Sequence, residues 1–139
     1  MNKDNIIKKS KSMLVAKKIY VENMNFHRES IIDGITHLSE SSIGKSVQKI
    51  NENEYKCSLS LRMTDENEST KLDIIVSGIF EFSVDLKEEQ KEIIITKNTM
   101  AILFPYLRAQ VTIITSQPDL EPVVLPAINI NALLQNIEE

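Results

Sequence analysis

Few residues in this 139-residue chain are of types that do chemistry, and their spacing gives them little to do it with. The single cysteine, Cys57, lies on the apolar side of the alternating stretch "EYKCSLSLRMT", which predicts a buried structural thiol rather than a nucleophile. One cysteine cannot form an intramolecular disulfide, and a reducing compartment fits. His27 and His37 have no cysteine or histidine partners at metal-ligand spacing, so no metal site is expected. Ser77 and Ser116 lack a nucleophile-elbow motif. Three glycines are too few for a dinucleotide fingerprint or a phosphate loop. The carboxylates cluster in solvated runs such as "DENES" and "KEEQKE". No active site and no cofactor are expected, and the chain is read as a non-enzyme.

Composition narrows the remaining classes. At 42% apolar and 26% charged, the chain is neither a disordered tail nor a membrane protein. A formal charge of -4 and 5% aromatics, with no tryptophan, argue against nucleic acid as the main partner. "MNKDNIIKKSKSMLVAKKIY" is basic, but its apolar break is too short for a secretory signal. No membrane insertion is expected, and the cytoplasm is the expected location. Residues 1–13 are read as a flexible basic tail and 14–139 as one domain.

Chemistry being absent, apolar surface is what the sequence has to offer. Residues 101–130, "AILFPYLRAQVTIITSQPDLEPVVLPAINI", contain one basic and two acidic residues. Pro118, Pro122 and Pro126 exclude a helix from the second half and hold it extended, with Val123, Val124 and Leu125 riding on it. The first half reads as a helix capped at Asn98 or Thr99 and running to about Ser116. Its apolar arc is too wide for a helix with one buried face. Pro105 leaves the Ala101 carbonyl without a donor and favours a kink. Asn129 or Asn131 caps a short last helix. "LKEEQKEIIITKN", ahead of the long helix, reads as a charged connector.

Upstream, four strands arranged as a meander are expected. In "TKLDIIVSGIFEFSVD", Leu72, Ile74, Val76, Gly78, Phe80, Phe82 and Val84 share one face. Gly78 marks a bend, a bulge or a close backbone approach. Tyr55, Cys57, Leu59, Leu61 and Met63 alternate in the strand before it, and "DENES" joins the two as a hairpin. A polar strand leads to a turn at residues 51–53. In "MLVAKKIYVENMNF" the apolar phase changes after Val21, which requires a bulge near Glu22 and Asn23. "FHRESIIDG" reads as a loop.

Motifs in this order resemble one family, the SecB-type protein-export chaperones. "KIYVENMNF" (18–26) is similar to that family's first strand, and "SGIFEFSV" (77–84) to its Gly-Ile-Phe strand. "ILFPYLRAQV" (102–111) is similar to the opening of its long helix, and "LPAININ" followed by "ALL" to its crossover loop and final helix. The resemblance implies an α+β fold, a four-stranded antiparallel sheet with two C-terminal helices packed on one face. It implies a homotetramer, a dimer of dimers, and grooves that hold unfolded polypeptides without nucleotide. Such grooves would bind many clients because burial of apolar area is non-directional. The candidate groove residues are Phe104, Tyr106, Leu107, Val111, Ile114, Val123, Val124 and Leu125, joined by Tyr20 and Phe26.

The family's docking patch for the motor SecA is altered. Asp73 keeps one acidic position, but Asn23 and His27 stand at two others, and Lys71 replaces a leucine. The motor-binding tail is not expected beyond Glu139. These departures weigh against SecA as delivery partner. A second reading is a SecB-like chaperone dedicated to the antitoxin of a toxin–antitoxin system. A third is a subunit whose apolar helix only builds an oligomer.

Overall fold

The computed structural model describes residues 13–29 and 34–138. All of the expected tail (1–13) except Met13, and Ile31 and Ile32 of the expected loop, lie outside the described residues. Among the described residues, four strands precede two helices: β1 (Leu14–Arg28), β2 (Glu40–Lys49), β3 (Glu54–Thr64), β4 (Thr70–Phe82), α1 (Glu88–Thr115) and α2 (Ile130–Glu138). β1 therefore runs two residues further than Phe26, into the stretch expected to be a loop.

The strands form one antiparallel sheet in the order β1-β4-β3-β2. β2, β3 and β4 are successive hairpins, but β1 pairs with β4 rather than β2, so the expected four-strand meander is corrected to a Greek-key arrangement. The hydrophobic pattern accounts for the choice. β4 is the most apolar strand and takes an interior position with neighbours on both sides, while serine-rich β2 goes to an edge.

Alternation then sorts the side chains. Leu72, Ile74, Val76 and Phe80 of β4 and Cys57 and Leu59 of β3 have no exposed surface. Val84 falls beyond β4 and is exposed. The register of β1 against β4 slips between Val21 and Asn23, where the change of apolar phase required it, and again between Ala16 and Lys18. A Cβ built on Gly78 would come within 2.6 Å of the Phe80 ring and 3.3 Å of Leu103, so the glycine marks a close approach of helix and strand.

α1 has 28 residues and spans about 42 Å. It starts at Glu88, ten residues before Asn98, so the charged connector is helical and neither Asn98 nor Thr99 is its cap. The Lys87 N–H donates to the Gln90 side-chain oxygen (3.2 Å), and Glu88 and Glu89 occupy the first turn, where carboxylates favour the helix dipole. Thr99 is buried inside the helix with its hydroxyl on the Ile95 carbonyl. Ile95 is in the core, Ile94 is half-buried and Ile93 is exposed. Near the helix start, buried Lys91 donates through its ammonium to the Glu52 carbonyl (3.0 Å), which ties α1 to the turn between β2 and β3. α1 continues through Pro105 to Thr115. The segment 117–129 is non-helical, as its prolines dictate. Asn129 caps α2, accepting from the N–H groups of Asn131 (3.1 Å) and Ala132 (3.3 Å).

Candidate functional site

The proline-bound crossover, residues 117–129, lies beside α1 and runs back along it. Three helix residues at spacings of four and three hold it there. The Arg108 Nε–H donates to the Leu125 carbonyl (2.5 Å), and the Thr112 hydroxyl donates to the Val123 carbonyl (3.4 Å). The Thr115 hydroxyl accepts from the Val123 N–H (2.9 Å) while donating to the Val111 carbonyl (2.7 Å). Helical spacing puts these three side chains on one flank of α1.

Both ends of the crossover are fastened. At its start, the Arg28 guanidinium donates to the Pro118 carbonyl (3.2 Å) and the Asp119 carbonyl (3.1 Å). The Thr36 N–H donates to the Asp119 carbonyl and the Glu121 N–H to the Thr36 carbonyl, both at 2.9 Å, and His37 Nδ1 lies 2.5 Å from a Glu121 carboxylate oxygen. At its far end, the Asn131 amide donates to the Lys97 carbonyl (3.0 Å).

Backbone fastened in this way leaves side chains to face solvent. Val124 is 66% exposed and Ile128 40%, while Val123 and Leu125 are half-buried against the core. Between α1 and the crossover lies an apolar cavity of about 250 Å³, lined by Ala101, Phe104, Pro105, Arg108, Ala127 and Ile128. Such a trough can bury a small number of apolar side chains from an extended chain.

The structure divides the ten groove residues expected from sequence. Phe104 lines the cavity; Val123 and Leu125 are bonded to α1 through their backbones, with Val124 exposed between them, and none of these three is among its lining residues. Leu107 and Val111 have no exposed surface; they face the sheet, and a ligand cannot reach them without opening the core. Tyr106 is exposed, but lies about 160° around α1 from Arg108, away from the crossover. Ile114 is half-buried against the core. Tyr20 pairs with Ser77 on the open face of the sheet, whereas Phe26 pairs with Leu72 on the helix face, so the two cannot line one groove within a chain. Phe26 does approach the start of the crossover, its ring 5.8 Å from the guanidinium carbon of Arg28. Ala101, Pro105, Arg108, Ala127 and Ile128 line the cavity and were not among the ten residues expected from sequence. Arg108 and Ala101 lie on the flank defined by Thr112 and Thr115, and that spacing was the available signal.

The open face of the sheet is polar. Asp73 lies there beside Asn25, with Arg62 Nε 3.6 Å from its carboxylate. Lys71, paired with His27, and Asn23 share this face. Further along, Glu22 contacts the Lys56 ammonium and accepts from the Ser77 hydroxyl (2.7 Å), and these bonds hold its carboxyl below the usual range. Lys17, at the second bulge, lies 2.6 Å from Glu54 and 3.4 Å from Glu81. Burial pushes the Cys57 thiol up to about 11, so at neutral pH it is protonated and inert. Among the described residues no three metal-ligating side chains converge. No helix among them is long and apolar enough to cross a membrane.

A four-stranded antiparallel sheet with two helices after it, one of them flanked by an apolar trough, defines an α+β protein of the SecB-like type. The model of the family "Preprotein translocase subunit SecB" matches residues 8–139, and the chain belongs to that family. Protein-export protein SecB of Orientia tsutsugamushi (strain Ikeda) is 21% identical over 94% of this chain and 84% of its own length. The SecB of Methylococcus capsulatus is 27% identical over 84% of this chain and 79% of its own. An uncharacterized protein of Methanocaldococcus jannaschii, MJ0357, is 41% identical over 49% of this chain, and the match spans 43% of that protein's length. Among solved structures, the fold is similar to the Mycobacterium tuberculosis Rv1957 SecB-like chaperone in complex with a ChAD peptide from the Rv1956 HigA1 antitoxin. That likeness has a TM-score of 0.67 at 12% identity and covers 91% of this chain and 99% of the other.

Proposed function

We propose that this chain is an ATP-independent holdase that binds unfolded polypeptides in the trough between α1 and the crossover. The observation that carries the reading is Val124. It is a large apolar side chain mostly in water, on backbone pinned by Arg108, Thr112 and Thr115. The pinning prevents the crossover from collapsing onto its own apolar residues. Folded proteins hide their apolar side chains, so a trough of this kind selects unfolded chains and delays their folding by mass action. The clients are preproteins, as the names of the curated SecB relatives suggest, held by a homotetramer built as a dimer of dimers. No nucleotide enters the cycle.

An antitoxin as dedicated client is the second reading. It is favoured by the open face, where Asp73 is shared with Arg62 and the neighbouring positions Asn23 and His27 carry no carboxylate. Delivery to SecA through an acidic patch has little to engage there.

Aggregation of a chemically denatured protein diluted into buffer, followed by light scattering, tests the holdase. The chain suppresses scattering at near-stoichiometric amounts without ATP, and Val124→Asp loses most of that effect while its melting temperature is unchanged. Equal suppression by the variant would remove the trough from the mechanism. No suppression by the parent chain would leave a plain assembly subunit.

A further inference from the structure

Arg108 has more donors than the fold uses. Its Nε–H is taken by the Leu125 carbonyl (2.5 Å), which fixes the plane of the guanidinium beside the crossover. Neither Nη group bonds to a described residue, and no carboxylate among the described residues is ion-paired with this side chain. One donor is enough to pin the crossover, so the end of the fork is surplus to that task.

The same half-buried side chain lines the apolar cavity of about 250 Å³, with Ala101, Phe104 and Pro105 on the helix side and Ala127 and Ile128 on the other. Among the described residues no carboxylate lines it. α2 leaves this cavity after its first turn. Ile130 and Asn131 are at the cavity, whereas Leu134 and Gln135 lie by Thr96 and Lys97, about 16 Å along α1 from Arg108. An apolar chain laid over the cavity would strip water from the guanidinium and give it no partner, which is destabilising. A carboxylate removes that cost by accepting from both Nη groups at once.

Spacing fixes where in a client the carboxylate must stand. Phe104 and Arg108 are one turn apart, about 6 Å along the helix axis. Same-side residues of an extended chain, i and i+2, are about 6.6 Å apart. The crossover already uses this match: Val123 and Leu125, two residues apart, accept from Thr112 and Arg108, one turn apart.

We propose that Arg108 makes the trough selective for extended segments with an acidic side chain two residues from an apolar one, in either chain direction. The apolar side chain enters the cavity against Ala101, Phe104 and Pro105, and the carboxylate closes on the two Nη groups of Arg108. The residue between them points away and is unrestricted. This selectivity is a property of the trough, so it rests on the holdase reading.

The test is fluorescence anisotropy of the full chain with the labelled peptide Ser-Gly-Leu-Thr-Glu-Thr-Leu-Gly-Ser, and with Gln or Lys in place of Glu. The Glu peptide is expected to bind about tenfold or more tightly than the Gln peptide, and the Lys peptide most weakly. Added salt should shrink the preference. In Arg108→Gln the Glu and Gln peptides should bind alike, while Arg108→Lys, which keeps the charge without the fork, should keep part of the difference. Because both variants also disturb the bond to Leu125, the peptide series on the parent chain decides by itself. Equal binding of the three peptides by the parent chain, or a preference that Arg108→Gln leaves intact, overturns the proposal. Absence of binding by all three overturns it too. Light scattering with the parent chain then separates the two readings: retained suppression of aggregation leaves the holdase standing without this selectivity, and lost suppression removes both.

Discussion

On the sheet side of α1, Met100, Leu103, Leu107 and Val111 have no exposed surface; on the opposite side Ile102, Tyr106 and Ile113 remain 36%, 50% and 64% exposed. The two sides are similar in composition and differ in what they meet. A helix lying on one sheet needs an apolar stripe about 100° wide. The inner stripe meets that need, so the outer one is surplus to folding a single chain. Surplus apolar surface on a long, well-anchored helix is surface available to another polypeptide. Between the two stripes, the flank of Arg108, Thr112 and Thr115 is polar and holds the crossover. One helix thus carries three different tasks around its circumference.

The largest effect should come from breaking the inner side. Leu107→Ala removes buried methyl groups between α1 and the sheet and leaves a cavity that close-packed neighbours fill only in part. A loss of about 3 kcal/mol in urea-unfolding free energy is expected. A loss below about 1 kcal/mol would mean that Leu107 is not enclosed as described.

This contrast also explains how far the sequence could be read. Alternation in β3 and β4 identified their buried faces correctly, because a period of two admits one arrangement on a half-buried sheet. The bulge near Glu22 followed from the same rule. The partner of β1 did not follow, because strand order depends on which neighbour buries the most apolar surface, and no local pattern records it. The start of α1 was missed because "LKEEQKE" carries no Ser, Thr, Asp or Asn at the cap, and its tertiary anchor, Lys91 on the Glu52 carbonyl, is nearly forty residues away in the chain. In the groove, residue type alone could not separate Leu107 from Phe104. Both are apolar and three residues apart, yet one faces the sheet and the other lines the cavity beside the crossover. The three prolines did give the crossover its extended form, and Asn129 its stopping point.

An intermediate effect is expected on the polar flank. Thr115→Val keeps the shape of the side chain but removes the acceptor for the Val123 N–H and the donor to the Val111 carbonyl. The Val123 amide is half-buried, and leaving it without a partner costs about 1 to 2 kcal/mol. The loss should be local as well as global. Hydrogen exchange at the Val123 amide should accelerate more than at amides of the inner stripe, because the crossover opens more easily than α1 leaves the sheet. Uniform acceleration across both would show that the crossover and the core unfold as one unit.

The smallest effect on the single chain, and the most informative about its partners, should come from the outer side. Ile113→Lys replaces a largely exposed side chain in the last turn of α1, which has no basic residue and whose dipole favours one. Unfolding free energy should stay within about 0.5 kcal/mol when measured at concentrations where the chain is monomeric. Association is a different matter. If the outer stripe joins copies in the proposed tetramer, two lysines meet across each two-fold contact in place of two isoleucines, with lost burial and added repulsion acting together. Sedimentation velocity should then show a smaller particle for Ile113→Lys at concentrations where the parent chain is assembled. Val124→Asp should leave the particle size unchanged and lower only the suppression of aggregation. The reverse pattern, with Val124→Asp dissociating the particle and Ile113→Lys losing clients, would exchange the roles of the two surfaces. It would move the holdase site from the crossover to the exposed back of the helix.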